Sequence, residues 1–221
     1  MASRDGKMET TVRHDTTSGG DPIIAGTSDS RAKGQGRRGR RSKGLSEEQL
    51  YQSALYYLGR YAASSASVRR VLDRRVAKYA QDDGVDPETA SGWIDAIIGR
   101  LTRSGILDDR TYADARARTL FNRGLSIRMI EVKLAEKGLE RPEVEQAVEA
   151  LLEEHRDPDL QAAITLVRRR RLGPFRAEAQ REAAFQRDLA ALARAGFAFD
   201  IARLVLAAPT VEDLRDLDRG R

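Results

Sequence analysis

The sequence predicts an all-α fold of repeated three-helix units. Alanine, leucine, arginine and glutamate dominate, and period-two runs of β-branched and aromatic residues are absent. Aromatic residues make up 5% and charged residues 33% of the chain, which suits a thin, layered helical protein. One unit recurs at an offset of 62 residues, which aligns Leu58, Ser64, Val68 and Leu72 with Leu120, Ser126, Ile130 and Leu134. Such repeats favour an elongated surface that lies along another long molecule.

The composition argues against an enzyme and against metal chemistry. The chain has no cysteine, and its two histidines, His14 and His155, are far apart in sequence. It contains no phosphate-binding loop, dinucleotide loop or nucleophile elbow, so we predict no catalytic residues, no metal and no cofactor. The N-terminus lacks the apolar run of a signal peptide, and no stretch approaches the ~18 apolar residues of a membrane span. We expect a soluble, cytoplasmic monomer that does not contact a membrane.

Residues 1–44 are predicted to form a disordered basic tail, because they are nearly free of large apolar side chains. They contain ten Lys/Arg and five Asp/Glu; subtracting these from the totals of 39 and 34 leaves 29 of each sign in residues 45–221. The cluster from Arg37 to Lys43 has two interpretations, a solubilising tail or salt-sensitive attraction to phosphates. Because residues 45–221 are neutral, a basic surface there requires segregation of charge between faces.

The first repeat is predicted over residues 45–107. Ser46 and Gln49 fit a capping box at its start, and Asp86-Pro87 fits an N-cap followed by proline before its third helix. The predicted helices run from residue 46 to about 62, from 68 to about 79, and from 86 to 105, with a break at Asp82-Asp83-Gly84.

The second repeat is predicted over residues 108–155 and the third over residues 156–208. In the second repeat, Gly124 and Gly138 end the first two helices, and a third helix starts at Pro142. Asp157-Pro158 is a further N-cap at the start of the third repeat. Residues 209–221 are predicted to be a charged, frayed C-terminal tail.

Asp108 and Asp109 form a carboxylate pair at the start of the second repeat. Such a pair serves acid–base catalysis only when a cleft separates the two pKa values. Both residues precede a helix, where a carboxylate can accept N–H groups at the positive end of the dipole, so capping is the favoured interpretation. Tyr112, one turn further on, is assigned to packing between repeats in preference to a stacking platform.

Basic residues recur on the second helix of the first two repeats. The candidate partner- or DNA-binding residues on these helices are Arg69, Arg70, Arg74, Arg75, Lys78, Arg128, Lys133 and Lys137. The third helix of the middle repeat is acidic, so the array would have one basic and one acidic edge. The alternative is a solvated charged face without a partner.

The densest basic run in the predicted helices consists of Arg168, Arg169, Arg170 and Arg171. One interpretation is direct contact with phosphate. The other is that some of these side chains cover the core with their aliphatic stems, because four successive residues point around most of a helix.

The stretch from Gly105 to Ala113, GILDDRTYA, resembles the central signature of the RecX family, small bacterial regulators of the RecA recombinase. Residues 123–138, RGLSIRMIEVKLAEKG, resemble the family's next block, and the likeness extends over about residues 50–207. The matching signature positions, interpreted as structural, are Gly105, Leu107, Asp108, Asp109, Tyr112, Gly124 and Gly138.

This resemblance implies an elongated, curved array of three three-helix repeats that binds along the groove of the RecA nucleoprotein filament. It implies modulation, usually inhibition, of recombinase, ATPase and co-protease activity in DNA repair and the SOS response. The sequence departs from the family pattern at the inserted Asp82–Glu88 region, at Arg168–Phe175 and in the N-terminal tail. The rival hypotheses are a stand-alone DNA-binding protein with helix-turn-helix-like units, which binds single- or double-stranded DNA weakly and salt-sensitively, and a non-catalytic helical scaffold.

Overall fold

The computed structural model describes residues 45–83 and 85–220, and every regular element in these residues is helical, which confirms the predicted all-α class. Nine of the ten α-helices in the described residues form three consecutive groups of three. They are α1 (Glu47–Leu58), α2 (Ser65–Asp83), α3 (Pro87–Arg103), α4 (Asp109–Phe121), α5 (Ile127–Ala135), α6 (Arg141–Glu154), α7 (Pro158–Arg170), α8 (Arg181–Arg194) and α9 (Phe199–Ala207). Two 3₁₀ turns, Gly173–Phe175 and Glu178–Gln180, separate α7 from α8. The predicted N-terminal tail, residues 1–44, lies outside the described residues.

The buried apolar side chains form two separate clusters. The first belongs to repeat 1 alone, where α1, α2 and α3 pack together around Leu50, Leu72 and Ile97. The second cluster runs without interruption through repeats 2 and 3, from Ala113 on α4 to Val205 on α9. Repeats 2 and 3 therefore share one core, whereas repeat 1 has its own.

Short polar side chains set the helix starts. Ser46 and Gln49 form the predicted capping box, with the Ser46 Oγ accepting the Gln49 N–H at 3.3 Å. Asp86 caps α3 ahead of Pro87, and Asp157 caps α7 ahead of Pro158. These caps lie where the sequence predicted them, because their side chains act within one turn of the chain.

Repeat 1 meets repeat 2 where the N-terminus of α2 contacts the C-terminal end of α5. The Ser64 hydroxyl donates to the carbonyl of Lys137 at 2.6 Å and also accepts the Ser67 N–H of its own helix. A carboxylate oxygen of Asp109, from the start of α4, accepts the Ser65 N–H at 2.7 Å. The α2 N-terminus is thus capped by its own serine and by an aspartate of the next repeat.

Repeat 2 meets repeat 3 at the equivalent helix ends, although here the serine donates through its backbone N–H and not through its hydroxyl. The N–H of Ser126 donates to the carbonyl of Ala195 at the end of α8, and Ser126 also caps α5. A carboxylate oxygen of Asp159, in the first turn of α7, accepts the Ile127 N–H at 2.8 Å. The second helices therefore meet end to end in the order α8, α5, α2, with the carbonyl end of one against the N–H end of the next, an arrangement that their dipoles favour.

Glycine is required at the helix ends in these junctions. Gly138 has a φ of +76°, and a Cβ there would overlap the Cβ of Ala66 in the first turn of α2. Gly124 has a φ of +77°, and a Cβ there would lie 2.7 Å from the backbone nitrogen of Leu166 on α7. Both positions need a left-handed backbone and a close approach, which only glycine allows without strain.

Three element boundaries differ from the predictions. Helix α1 ends at Leu58 instead of near Ala62, and α2 continues to Asp83, so that it includes the first two residues of the predicted break. Residues 211–220 form a tenth described α-helix, α10 (Val211–Gly220), so the prediction of a frayed tail was wrong there. A capping box of Thr210 and Asp213 starts α10, and Leu214, buried within the second core, anchors it.

Repeat 3 contains a buried ion pair where the other repeats have apolar side chains. Asp188 on α8 lies four residues before Leu192, as Val68 lies before Leu72 and Ile130 before Leu134. It therefore occupies the position of Val68 and Ile130, and it is only 3% exposed. Its carboxylate accepts two hydrogen bonds from the Arg176 guanidinium, at 2.9 and 3.2 Å, and one from the Gly173 N–H. This pair holds the turn between α7 and α8 against the third repeat.

Gly138→Ala should destabilise the protein, because alanine at this φ costs about 1–2 kcal/mol and its Cβ also overlaps Ala66. Gly92→Ala is the matched control, since Gly92 is helical with open space around it and should gain up to about 1 kcal/mol. Urea unfolding measures both. Adding Ala66→Gly to Gly138→Ala should recover part of the loss; an unchanged midpoint for Gly138→Ala would refute the proposed constraint.

Asp188→Ala should lower the free energy of unfolding by about 3–5 kcal/mol, because it leaves the half-buried Arg176 guanidinium without its carboxylate partner. The double variant Asp188→Leu with Arg176→Leu should be closer to the parent in stability, because the other two repeats place apolar residues at the Asp188 position. Urea unfolding compares the two. A single variant as mild as the double would contradict this account.

Candidate binding surface

The outer part of α2 presents exposed basic side chains. Arg74, Arg75 and Lys78 are exposed, and none forms an ion pair with a described residue. The Arg75 guanidinium lies over the Tyr79 ring, 5.7 Å from its centroid. On the predicted basic helix, these three residues face solvent, and their charges can interact with a partner.

Two other predicted residues on α2 are occupied within the protein. Arg69 forms an ion pair with Asp95 on α3. Arg70 donates to the carbonyls of Glu136 and Lys137 at 3.4 and 3.1 Å, so its charge lies at the C-terminal end of α5. Arg70 is therefore part of the junction between repeats 1 and 2.

The basic residues predicted on α5 are distributed differently. Arg128 is exposed, Lys133 pairs with Glu136 at 2.8 Å, and Lys137 is half-buried beside the junction. Much of the positive charge on α5 is thus balanced locally. The acidic helix α6 is partly balanced too, through Arg141 with Glu145 at 2.6 Å. The available basic character is stronger on α2 than on α5.

The arginine run at the end of α7 is exposed. Arg168, Arg169, Arg170 and Arg171 all lie at the surface, so their guanidinium groups can meet a partner. Arg169 also donates to the carbonyl of Arg123 at 3.1 Å, across the junction of repeats 2 and 3. Arg171 takes a left-handed conformation, with a φ of +53°, and ends the helix.

The signature residues serve the ends and junctions of helices. Gly105 has a φ of +72° after α3, and Leu107 is buried in the core of repeat 1. Asp108 caps its own helix α4, with Oδ1 accepting the Thr111 N–H at 3.0 Å, while Asp109 caps α2 instead. Tyr112 is half-buried and packs against the second core. Gly124 and Gly138 are the junction glycines described above.

The cap at Asp108 lowers the pKa of its carboxyl below the usual 3.8. The largest cause is the hydrogen bond from the Thr111 hydroxyl, at 2.7 Å, followed by the bond from the Thr111 N–H. Both donors favour the charged carboxylate. A lowered pKa is the reverse of what a proton-donating carboxyl requires, so this residue is suited to capping.

One junction residue, Asp159, was not singled out from the sequence. Asp159 repeats the role of Asp109, because its carboxylate accepts the Ile127 N–H. The Gly196-Phe197 pair echoes Gly138-Leu139 in the sequence, and Gly196 repeats the role of Gly138: its φ is +90°, and a Cβ there would overlap the Ser126 Oγ. Aligning the third repeat from this glycine, instead of from its apolar residues, would have found Asp159.

The fold and its junctions define a tandem array of three-helix repeats. Among the described residues, no group of three or more His, Asp or Glu side chains is placed to hold a metal ion. None of the helices in the described ranges is long and apolar enough to span a bilayer. The sequence model described as "RecX, second three-helix domain" matches residues 108–148, which are repeat 2.

Two relatives match most of the chain. A regulatory protein RecX from Myxococcus xanthus is 40% identical over 168 residues, covering 76% of this chain and 89% of the relative. A regulatory protein RecX from Agrobacterium fabrum is 32% identical over 160 residues, covering 72% and 83%. The chain therefore belongs to the RecX family of regulatory proteins.

Two crystal structures of RecX proteins were also matched. One gives a TM-score of 0.49 at 21% identity and covers 72% of this chain and 70% of its own. The other, from Lactobacillus salivarius, gives a TM-score of 0.49 at 19% identity and covers 74% and 96%.

The stabilising effect of Asp108 should depend on pH. Because its pKa is lower in the folded than in the unfolded protein, its contribution is complete above about pH 4–5 and is lost as the pH falls through the folded pKa. The difference in urea midpoint between the parent and Asp108→Ala should therefore narrow below pH 4. Thr111→Ser, which keeps the hydroxyl, should preserve this pH dependence, and Thr111→Val should weaken it. A difference in urea midpoint between the parent and Asp108→Ala that stays constant down to pH 2 would refute the capping role of the Asp108 carboxylate.

Proposed function

We propose that this protein regulates the RecA recombinase by binding along the groove of the RecA–DNA filament. There it inhibits or modulates recombinase, ATPase and co-protease activity, in DNA repair and the SOS response. The observation that carries this proposal is the family membership, since both relatives are named regulatory proteins and together match most of the chain.

The array supplies several contacts on one connected scaffold. Its second helices meet end to end through the Ser64–Lys137 and Ser126–Ala195 hydrogen bonds, so their outer residues keep a defined spacing. A filament presents the same subunit surface repeatedly. Weak contacts from successive repeats can then act together as one multivalent interaction.

Within this proposal, the contact surface is the exposed basic part of α2, namely Arg74, Arg75 and Lys78. These charges meet acidic groups of the filament or phosphates of its DNA. Arg70 was grouped with them in the sequence, but its bonds to the α5 carbonyls give it a structural role. Arg128 and the exposed run Arg168–Arg171 extend the basic surface to the second and third repeats.

The rival function is stand-alone DNA binding, and the exposed arginine run favours it most. Four exposed arginines next to one another suit phosphate contact. Sequence-specific readout would need Asn, Gln, Arg or Lys aimed at base edges, and the second helices of repeats 1 and 2 offer little Asn or Gln. Gel shifts with and without RecA discriminate the two hypotheses, because the proposed regulator should bind the RecA-coated strand more tightly than the bare strand, whereas a stand-alone DNA-binding protein should not.

The direct test adds the protein to RecA and single-stranded DNA and measures ATP hydrolysis and strand exchange. We expect both to change at substoichiometric to stoichiometric ratios of protein to RecA. The same rates at every ratio, with the folded state verified by circular dichroism, would refute the proposal.

Charge reversal locates the contact. Arg74→Glu with Arg75→Glu should weaken filament binding, because it reverses two exposed positive charges. It should also lower the dependence of binding on salt, because ions screen the attraction that these charges provide. The matched control is Arg156→Glu with Arg219→Glu, which makes the same change in net charge at exposed positions outside the second helices. Equal loss in both variants, measured by anisotropy on filaments over a salt series, would mean that net charge and not the α2 surface matters.

A further inference from the structure

The end of α1 presents an unusual concentration of exposed tyrosine beside arginine. Repeat 1 contains five of the six tyrosines of the chain, at positions 51, 56, 57, 61 and 79. The Tyr56 side chain is 59% exposed and that of Tyr61 40%, the largest exposures among the tyrosines with described surroundings. Neither residue is needed to complete the core of repeat 1.

These rings are held in defined positions. The Arg60 guanidinium, one turn after Tyr56, lies over its ring at 4.6 Å from the centroid. The rings of Tyr57 and Tyr61 are in contact, with centroids 5.2 Å apart and planes tilted by 44°. Because the exposed rings are restrained before any ligand arrives, less side-chain entropy is lost when one binds.

The charge around these rings favours a polyanion. No Asp or Glu occurs between Gln49 and Leu72, whereas Arg60, Arg69 and Arg70 lie within that stretch. Arg69 is paired with Asp95 and Arg70 bonds the carbonyls at the end of α5, so the positive charge available beside the rings is that of Arg60. The last acidic residue before this stretch is Glu48 on α1, two turns before Tyr56. The Glu48 carboxylate accepts a hydrogen bond from Gln52 at 2.8 Å. Arg60 is exposed, so its charge can reach a phosphate while its plane remains over the ring.

We infer that Tyr56, Arg60 and Tyr61 form a stacking site for the bases of single-stranded DNA. Exposed aromatic rings interleaved with arginine bind single strands, because each base can stack on a ring while the guanidinium contacts the backbone. A duplex cannot use the site in this way, since its bases are already stacked. The choice of DNA over RNA rests on the proposed function, in which the protein acts at a DNA-bound filament; the stacking chemistry itself does not.

An exposed aromatic elsewhere in the chain provides a matched control. Phe199, at the start of α9, is 63% exposed, similar to Tyr56. It borders a groove of about 870 Å³ between α9 and α10, together with Asp200, Asp213 and Asp216. Phe199 is thus an aromatic ring in an acidic setting, where a phosphate chain is repelled.

The test measures fluorescence anisotropy of labelled oligothymidylate without RecA, so it can fail or succeed independently of the proposed function. Tyr56→Ala should weaken binding about 5- to 100-fold, the range supplied by one base–aromatic stack. Tyr61→Ala should act in the same direction, and Tyr56→Phe should retain most of the affinity because it retains the ring. Phe199→Ala should bind like the parent. Arg60→Gln should lower the slope of affinity against salt.

Three comparisons can overturn the inference. Equal affinity for oligothymidylate and for an abasic strand of the same length would exclude base stacking. Tighter binding of oligouridylate than of oligothymidylate would overturn the assignment to DNA. If the Tyr56→Ala, Tyr61→Ala double variant keeps its DNA affinity but loses filament binding, the surface contacts protein and the inference is wrong.

Discussion

The structure depends on one contact made twice: the Ser-capped start of a second helix against the glycine-ended helix of the following repeat. At Ser64 and Lys137 this contact joins repeat 1 to repeat 2, and at Ser126 and Ala195 it joins repeat 2 to repeat 3. The N–H and C=O groups left unpaired at helix ends are costly when withdrawn from water. Here one helix end partly satisfies the other, and glycine at 138 and 196 lets the backbones approach. The path of the array follows from this pairing.

Local signals in the sequence predicted much of this, and nonlocal ones did not. The capping boxes and the glycine stops act within one or two turns, and the 62-residue offset repeats them along the chain, so the all-α class could be predicted. The cap that Asp109 provides to α2 spans 44 positions and could not be seen from spacing alone. Residues 209–221 were predicted to be a charged, frayed tail, yet Leu214 is buried in the second core and Leu217 packs against it, which docks α10. The buried Asp188 breaks the apolar pattern, which hid the third repeat's register.

The same distinction between local and nonlocal signals applies to the predicted basic residues. Composition and helical spacing placed them on the right helices, but only the packing shows which charges remain available. Arg69 and Lys133 have acidic neighbours, and Arg70 stabilises a helix end. Arginine suits both tasks, because its planar fork can bond several carbonyls or carboxylates and its charge persists at any physiological pH. A candidate interface chosen from sequence therefore mixes residues that maintain the scaffold with residues that can meet a partner.

The division of the apolar core into two clusters has a mechanical consequence. Repeats 2 and 3 are fused by continuous burial, whereas repeat 1 is joined to them by hydrogen bonds and by the close contact at Gly138. Each such bond contributes about 0.5–1.5 kcal/mol net, much less than a shared core. We therefore expect the junction at Ser64 to be the weaker of the two. Repeat 1 is the part of the array whose attachment depends most on polar contacts.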